Sequence, residues 1–158
     1  MNDNRRIYTN KRYDITIIEK KPKKDNIYNF MEIDENIFVE GSSILYDKST
    51  AYIIQFPFSG KASVSYGIIH SINEYNIYHY CCTDYGSSGS PIMNLENKII
   101  GIHIGASRFN INCGTYLKYP IKEFLIKYKI IKNNENEING NIKINNKIET
   151  IEKEKNNF

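Results

Sequence analysis

A serine hydroxyl can attack an acyl carbon when a tight turn presents it to the substrate and backbone N–H groups nearby receive the developing negative charge. The segment Gly86-Ser87-Ser88-Gly89-Ser90-Pro91 provides such a turn, with Ser88 as the candidate nucleophile. Glycine on either side lets the chain adopt the conformations that aim successive N–H groups inward, and those of Gly86 and Ser88 form the expected oxyanion hole. Pro91 stiffens the exit and opens the next strand.

The flanks carry more information than the turn, because glycine and serine are also ordinary hairpin residues. The run from Cys82 to Ala106, Cys-Thr-Asp-Tyr-Gly-Ser-Ser-Gly-Ser-Pro-Ile-Met-Asn-Leu-Glu-Asn-Lys-Ile-Ile-Gly-Ile-His-Ile-Gly-Ala, resembles the nucleophile region of trypsin-like serine proteases with the chymotrypsin fold. The likeness is greatest to the glutamyl endopeptidase branch and to trypsin-like peptidase domains of microbial eukaryotes. An α/β-hydrolase elbow fits less well. Ser90 replaces its last glycine, and the next segment alternates like a strand instead of opening a helix.

The resemblance implies roles for further residues. Asp14, in Arg12-Tyr13-Asp14-Ile15-Thr16-Ile17-Ile18, matches the triad aspartate that opens a late strand of the first barrel. The triad histidine should lie several tens of residues earlier, yet thirteen residues precede Asp14 and none is histidine. His70, His79 and His103 all fall in the second barrel, and none is expected to replace the base. Cys82 occupies the position at the base of the primary specificity pocket, where an aspartate would select Lys or Arg. Thr83 and His103 stand where glutamyl endopeptidases and the picornavirus main cysteine protease carry a threonine and a histidine, which implies recognition of Glu or Gln before the scissile bond. A hydroxyl and an imidazole can satisfy a carboxylate or an amide oxygen. The stretch Ile104 to Ser107, including Gly105, is expected to offer an edge for an extended peptide.

Alternating Val and Ile, with Gly and Pro punctuation, predicts the elements that position these groups. Strands are expected at Ala51 to Phe56, Ala62 to Ile72, Ile77 to Cys81, Pro91 to Asn94, Lys98 to Ile104 and Gly114 to Leu117, enough for one closed barrel. Upstream, a strand is expected over Tyr13 to Glu19 and another near Asn36 to Glu40. Ile121, Phe124, Leu125 and Tyr128 form one stripe of a helix over Ile121 to Ile131. Beyond Lys132 the composition turns to Asn, Glu, Lys and Ile, which reads as a tail or linker. The expected organisation is an all-β, chymotrypsin-like protein: residues 1–45 a remnant of the first barrel and its connector, 46–131 a complete second barrel with a C-terminal helix, and 132–158 low-complexity tail.

The 158 residues have a net charge of +3, with lysines scattered among acids, which points away from nucleic acid as a partner. No apolar run reaches membrane-spanning length and the start leads into no apolar signal core, so neither a membrane nor secretion is expected. Cys81, Cys82 and Cys113 lack metal-ligand spacing. They read as reduced thiols in an intracellular setting, although a Cys82–Cys113 bridge across the pocket is compatible with their positions. No cofactor is expected.

Three functions remain open: a serine endopeptidase domain truncated before its histidine, a catalytically inactive peptide-binding module that keeps the pocket, and an unrelated small β-domain. In the first two the partner is a peptide or protein substrate, and the exposed barrel edges invite pairing with a missing N-terminal barrel segment. Without the base, the chain alone is expected to be nearly inert.

Overall fold

The computed structural model describes residues 4–106 and 111–131. Six antiparallel strands close a barrel: β3 (Thr50–Gln55), β4 (Ser63–Asn73), β5 (Asn76–His79), β6 (Pro91–Met93), β7 (Ile99–Ala106) and β8 (Asn112–Tyr116), in the spatial order β3-β4-β5-β8-β7-β6. Ala51, Ile53, Ile69, Ile77, Ile92, Ile100 and Tyr116 point inward and form the core. β-branched side chains suit this interior because their stiff χ1 loses little freedom on the pleated surface. Among the described residues, no helix is long and apolar enough to cross a membrane.

A hairpin, β1 (Ile7–Asn10) and β2 (Ile15–Ile18), precedes the barrel and, among the described residues, forms a two-stranded sheet of its own. Polar side chains anchor it. Glu123 of the C-terminal helix accepts from both Tyr8 and Tyr13, the latter at 2.5 Å, and the carbonyl of Tyr13 accepts from Thr115 Oγ1 at 2.5 Å. Tyr13 also meets Tyr75 edge-to-face at 5.2 Å between ring centroids. Partial burial would raise the Glu123 carboxyl, but hydrogen bonds from Tyr13, Tyr8 and Asn10 hold it below its usual range.

The expected strand near Asn36 to Glu40 is instead a 3₁₀ turn over Glu35–Phe38, followed by α2 (Ser42–Tyr46); a shorter helix, α1 (Pro22–Asp25), lies upstream. Asp34 decides the matter. Its buried carboxylate caps the turn by accepting from the Asn36 N–H at 3.0 Å, and it also accepts from Tyr46 Oη and Asn94 Nδ2, both at 2.8 Å. The successive residues Ile37 and Phe38 are then both buried, as a turn allows and an alternating strand does not.

The terminal helix, α3, spans Lys118–Lys127, shifted toward the N-terminus from its expected range. Pro120 sits in the first turn, where its missing N–H is harmless. Lys129 takes a left-handed conformation (φ 54°) and closes the end. The expected tail beyond Lys132 lies outside the described residues.

Candidate active site

The nucleophile turn follows β5, and its geometry is set by where its amides go. Between Asp84 and Ser90, the N–H of Asp84 donates to Ser87 Oγ, Tyr85 to Asp84 Oδ1, Ser87 to the Asp84 carbonyl, Gly89 to the His103 carbonyl, and Ser90 to the Ser87 carbonyl. Two remain. Among the described residues, the N–H groups of Gly86 and Ser88 have no protein acceptor, in a loop where every neighbour has one. Ser87 is buried as the internal brace of the turn, whereas Ser88 is exposed.

Gly86 has a positive φ of 89°, and a Cβ there would sit 3.1 Å from the Phe56 carbonyl oxygen and 3.3 Å from the Phe58 nitrogen. The turn therefore needs glycine for both conformation and close approach. Phe58 completes the contact by donating its N–H to the Tyr85 carbonyl at 2.6 Å.

Ser88 Oγ donates to the Ile104 carbonyl at 2.7 Å. That carbonyl is available because the β7–β8 register shifts between His103 and Gly105, leaving Ile104 without an opposite residue. His103 clamps the turn through its backbone, giving its N–H to the Ser90 carbonyl and taking that of Gly89, each at 2.8 Å. Past the last β6–β7 pair, Pro91↔Ile102, one edge of β7 has no strand partner among the described residues, while the other continues on β8 to Ala106↔Asn112.

The side chain of His103 is buried and its Nδ1 lies 3.2 Å from Nε2 of His79, itself fully buried. Burial disfavours the charged imidazoles: His79 is held down to about 4, with His103 contributing, and His103 is also lowered, partly offset by the Cys113 backbone. At neutral pH one proton therefore lies between the two facing nitrogens. His79 Nδ1 has no partner.

Thr83 Oγ1 donates to Asn112 Oδ1 at 2.9 Å, and Asn112 Nδ2 donates to the Cys81 carbonyl at 2.6 Å. Asn112 in turn pairs through its backbone with His79 and Ala106. One strand residue thus joins Thr83 to the rung that carries His79. Sequence motifs mark neither Asn112 nor this role of His79; their only signal is their position on β5 and β8, neighbours once the barrel closes.

The structure also places the remaining residues of the expected site. Cys82 is exposed and Cys81 buried, as alternation requires. Its carbonyl is held by Gln55 Nε2 at 3.0 Å. All three cysteines are free, so no Cys82–Cys113 bridge forms. Asp14 is exposed in the β1–β2 turn with φ 50°, its N–H donating to the Lys11 carbonyl. Its neighbour Tyr13 packs at the Asn76–Thr115 rung, whereas His79 and Asn112 lie at the other end of the same strand pair. His70 pairs with Tyr80 on the surface, so no histidine of this chain hydrogen-bonds Ser88.

Residues 2–102 match the family model of the trypsin-like peptidase domain. The chain belongs to that family. Among solved structures, a Glu endopeptidase in complex with MPD is similar to this trypsin-like domain, with a TM-score of 0.56 at 22% identity over 75% of this chain. An HtrA-type protease with a decapeptide gives a TM-score of 0.49 at 16% identity, over 63% of this chain and 33% of that one. The domain therefore has the chymotrypsin-like β-barrel. It spans 56% of the length of the Glu endopeptidase.

The neutral histidine pair makes the barrel of this trypsin-like domain acid-sensitive. His79 ordinarily titrates at 6.5 and here at about 4, so folding disfavours its proton. That contribution to stability is complete above pH 6.5 and is lost as pH falls toward 4. Urea unfolding between pH 7 and pH 4 should show a loss of roughly 3 kcal/mol, and His79→Gln should flatten most of it. An equal slope in that variant would place the acid sensitivity elsewhere.

Proposed function

We propose that this domain carries the nucleophile, oxyanion hole and primary pocket of a serine endopeptidase that cleaves after Glu or Gln. The observation that carries the reading is the pair of unengaged N–H groups on Gly86 and Ser88, flanking a nucleophile whose other neighbouring amides are all committed. Donors that need not reorganise are what a tetrahedral oxyanion requires. Thr83 and His103 are the proposed side-chain pocket, and the free edge of β7 from Ile104 through Gly105 the peptide-binding strand.

A base would have to come from residues other than these 158. His70, His79 and His103 are engaged elsewhere, and Ser88 gives its proton to a carbonyl that cannot carry it away. This favours a second reading, in which the domain alone holds peptides without cutting them. Both readings share the pocket, which peptide binding tests directly. Matched peptide amides ending in Glu or Gln should bind at least about tenfold tighter than those ending in Lys or Phe, a difference of about 1.4 kcal/mol. Equal binding across the series would remove the pocket assignment.

A further inference from the structure

Resting on the reading of the Gly86 and Ser88 N–H groups as oxyanion donors, we infer that Phe58 is a positioning residue for them. Its backbone N–H latches the Tyr85–Gly86 peptide in the one orientation that leaves the Gly86 N–H free for a substrate. In a trans peptide the carbonyl and the N–H point in opposite directions. The Tyr85 carbonyl accepts from the Phe58 N–H at 2.6 Å, so the Gly86 N–H points away from Phe58. Among the described residues this is the only hydrogen bond that the peptide unit makes, because the Gly86 N–H has no acceptor. Gly86 does not hold the orientation by itself. A glycine at φ 89° has other conformations open at little steric cost, and a half-turn of the peptide would put the Tyr85 carbonyl, an acceptor, where a negative oxygen should sit.

The strap that carries the latch is built against local preference. Phe58 is left-handed, at φ 53° and ψ 29°, and Ser59 follows at φ 56°. A bulky residue rarely adopts that conformation, because its Cβ crowds the following carbonyl oxygen. Burial does not account for it. The Phe58 side chain is exposed, and its ring contact is with Tyr85, also exposed, at 6.2 Å between centroids. What the conformation accompanies is a close fit to the turn: the Phe56 carbonyl oxygen, the Phe58 nitrogen and the Ser59 nitrogen lie 3.1, 3.3 and 3.6 Å from where a Gly86 Cβ would stand. The Gly60 N–H closes the strap by donating to the Pro57 carbonyl at 2.9 Å. Backbone strain persists where the surroundings fix it, and here the contact it sustains is the latch.

Installing phenyllactic acid at position 58 turns the Pro57–Phe58 link into an ester and removes the N–H alone, whereas Phe58→Gly relieves the strain and keeps the N–H. Both changes lie on the exposed strap, outside the barrel core. Nuclear magnetic resonance titration at pH 7.5 then compares two peptides ending in Glu, identical except for an α-carboxylate in one and an α-carboxamide in the other. The α-carboxylate brings an anionic oxygen to the two donors and should bind about tenfold tighter or more. In the ester chain this preference should shrink to about threefold or less, with carboxamide binding unchanged, while in Phe58→Gly it should persist within about twofold. A preference unchanged in the ester chain, or lost in Phe58→Gly, overturns the latch and leaves the oxyanion reading standing. Equal binding of the two peptides to the natural chain overturns both. Should neither peptide bind, the pocket reading fails and the Overhauser contact between Tyr85 Hα and the Gly86 amide proton decides the latch alone. Its change in the ester chain but not in Phe58→Gly supports the latch, and any other pattern overturns it.

Discussion

Incubated with a fluorophosphonate probe, the isolated chain should leave Ser88 unmodified over the minutes in which a serine with its base in place would react fully. Probe attack needs a proton removed from Oγ, and that proton is donated to the Ile104 carbonyl, which is no base. The expected deficit is about a millionfold, the loss that follows removal of the base in a serine triad. It corresponds to about 8 kcal/mol of activation free energy. The remaining oxyanion donors should support only slow background labelling. The readout is intact-mass spectrometry, with Ser88→Ala as the blank. Stoichiometric labelling within minutes, absent from that blank, would show that some group of this chain serves as the base.

The second large effect is on the fold. A Cβ at Gly67 in β4 would lie 2.3 Å from the Cys81 nitrogen, 2.6 Å from the Tyr80 carbonyl carbon and 2.8 Å from the Cys81 Cα. All three are backbone atoms, so no side chain can swing away. The chain crosses here because, after β5, the Tyr80 N–H still bonds the Ile68 carbonyl at 3.0 Å, drawing Cys81 over the strand before the site loop begins. Gly67→Ala should therefore cost about 3 kcal/mol or more, a large share of the stability of a domain this size. It should also move the Cys81 carbonyl that orients Asn112, so peptide binding should weaken even where folding survives. Gly105→Ala is the control. A Cβ there meets nothing within 4 Å, and stability should change by less than about 0.5 kcal/mol. Equal destabilisation of the two variants in urea would rule out the steric account.

The barrel was legible because its strands alternate and are punctuated by turn residues, so each segment declares itself locally. β1 did not, since Ile-Tyr-Thr-Asn offers little pattern and is held by contacts to Glu123, more than a hundred residues away. The segment around Asn36 reads as extended because the carboxylate that caps it, Asp34, is held in place by Tyr46 and Asn94, residues outside the segment. In the site, Ser88, Gly86, Thr83 and His103 could be picked out because the motif fixes their spacing along the chain. Asn112 and His79 could not. Their importance comes from a shared rung, and strand register is a property of the closed barrel, not of either segment alone.

The contact between His79 and His103 also bears on how such a domain could change what it binds. Replacing His103 would strip His79 Nε2 of its partner while Nδ1 already has none, leaving a ring with no hydrogen bond in the barrel interior. Each such lapse costs about 1–3 kcal/mol. A single substitution at position 103 must therefore cross a destabilised intermediate unless position 79 changes with it, whereas Thr83 sits partly exposed and can vary alone. The two ends of the proposed recognition site thus differ in how freely they can drift, the histidine end being tied to the integrity of the barrel itself.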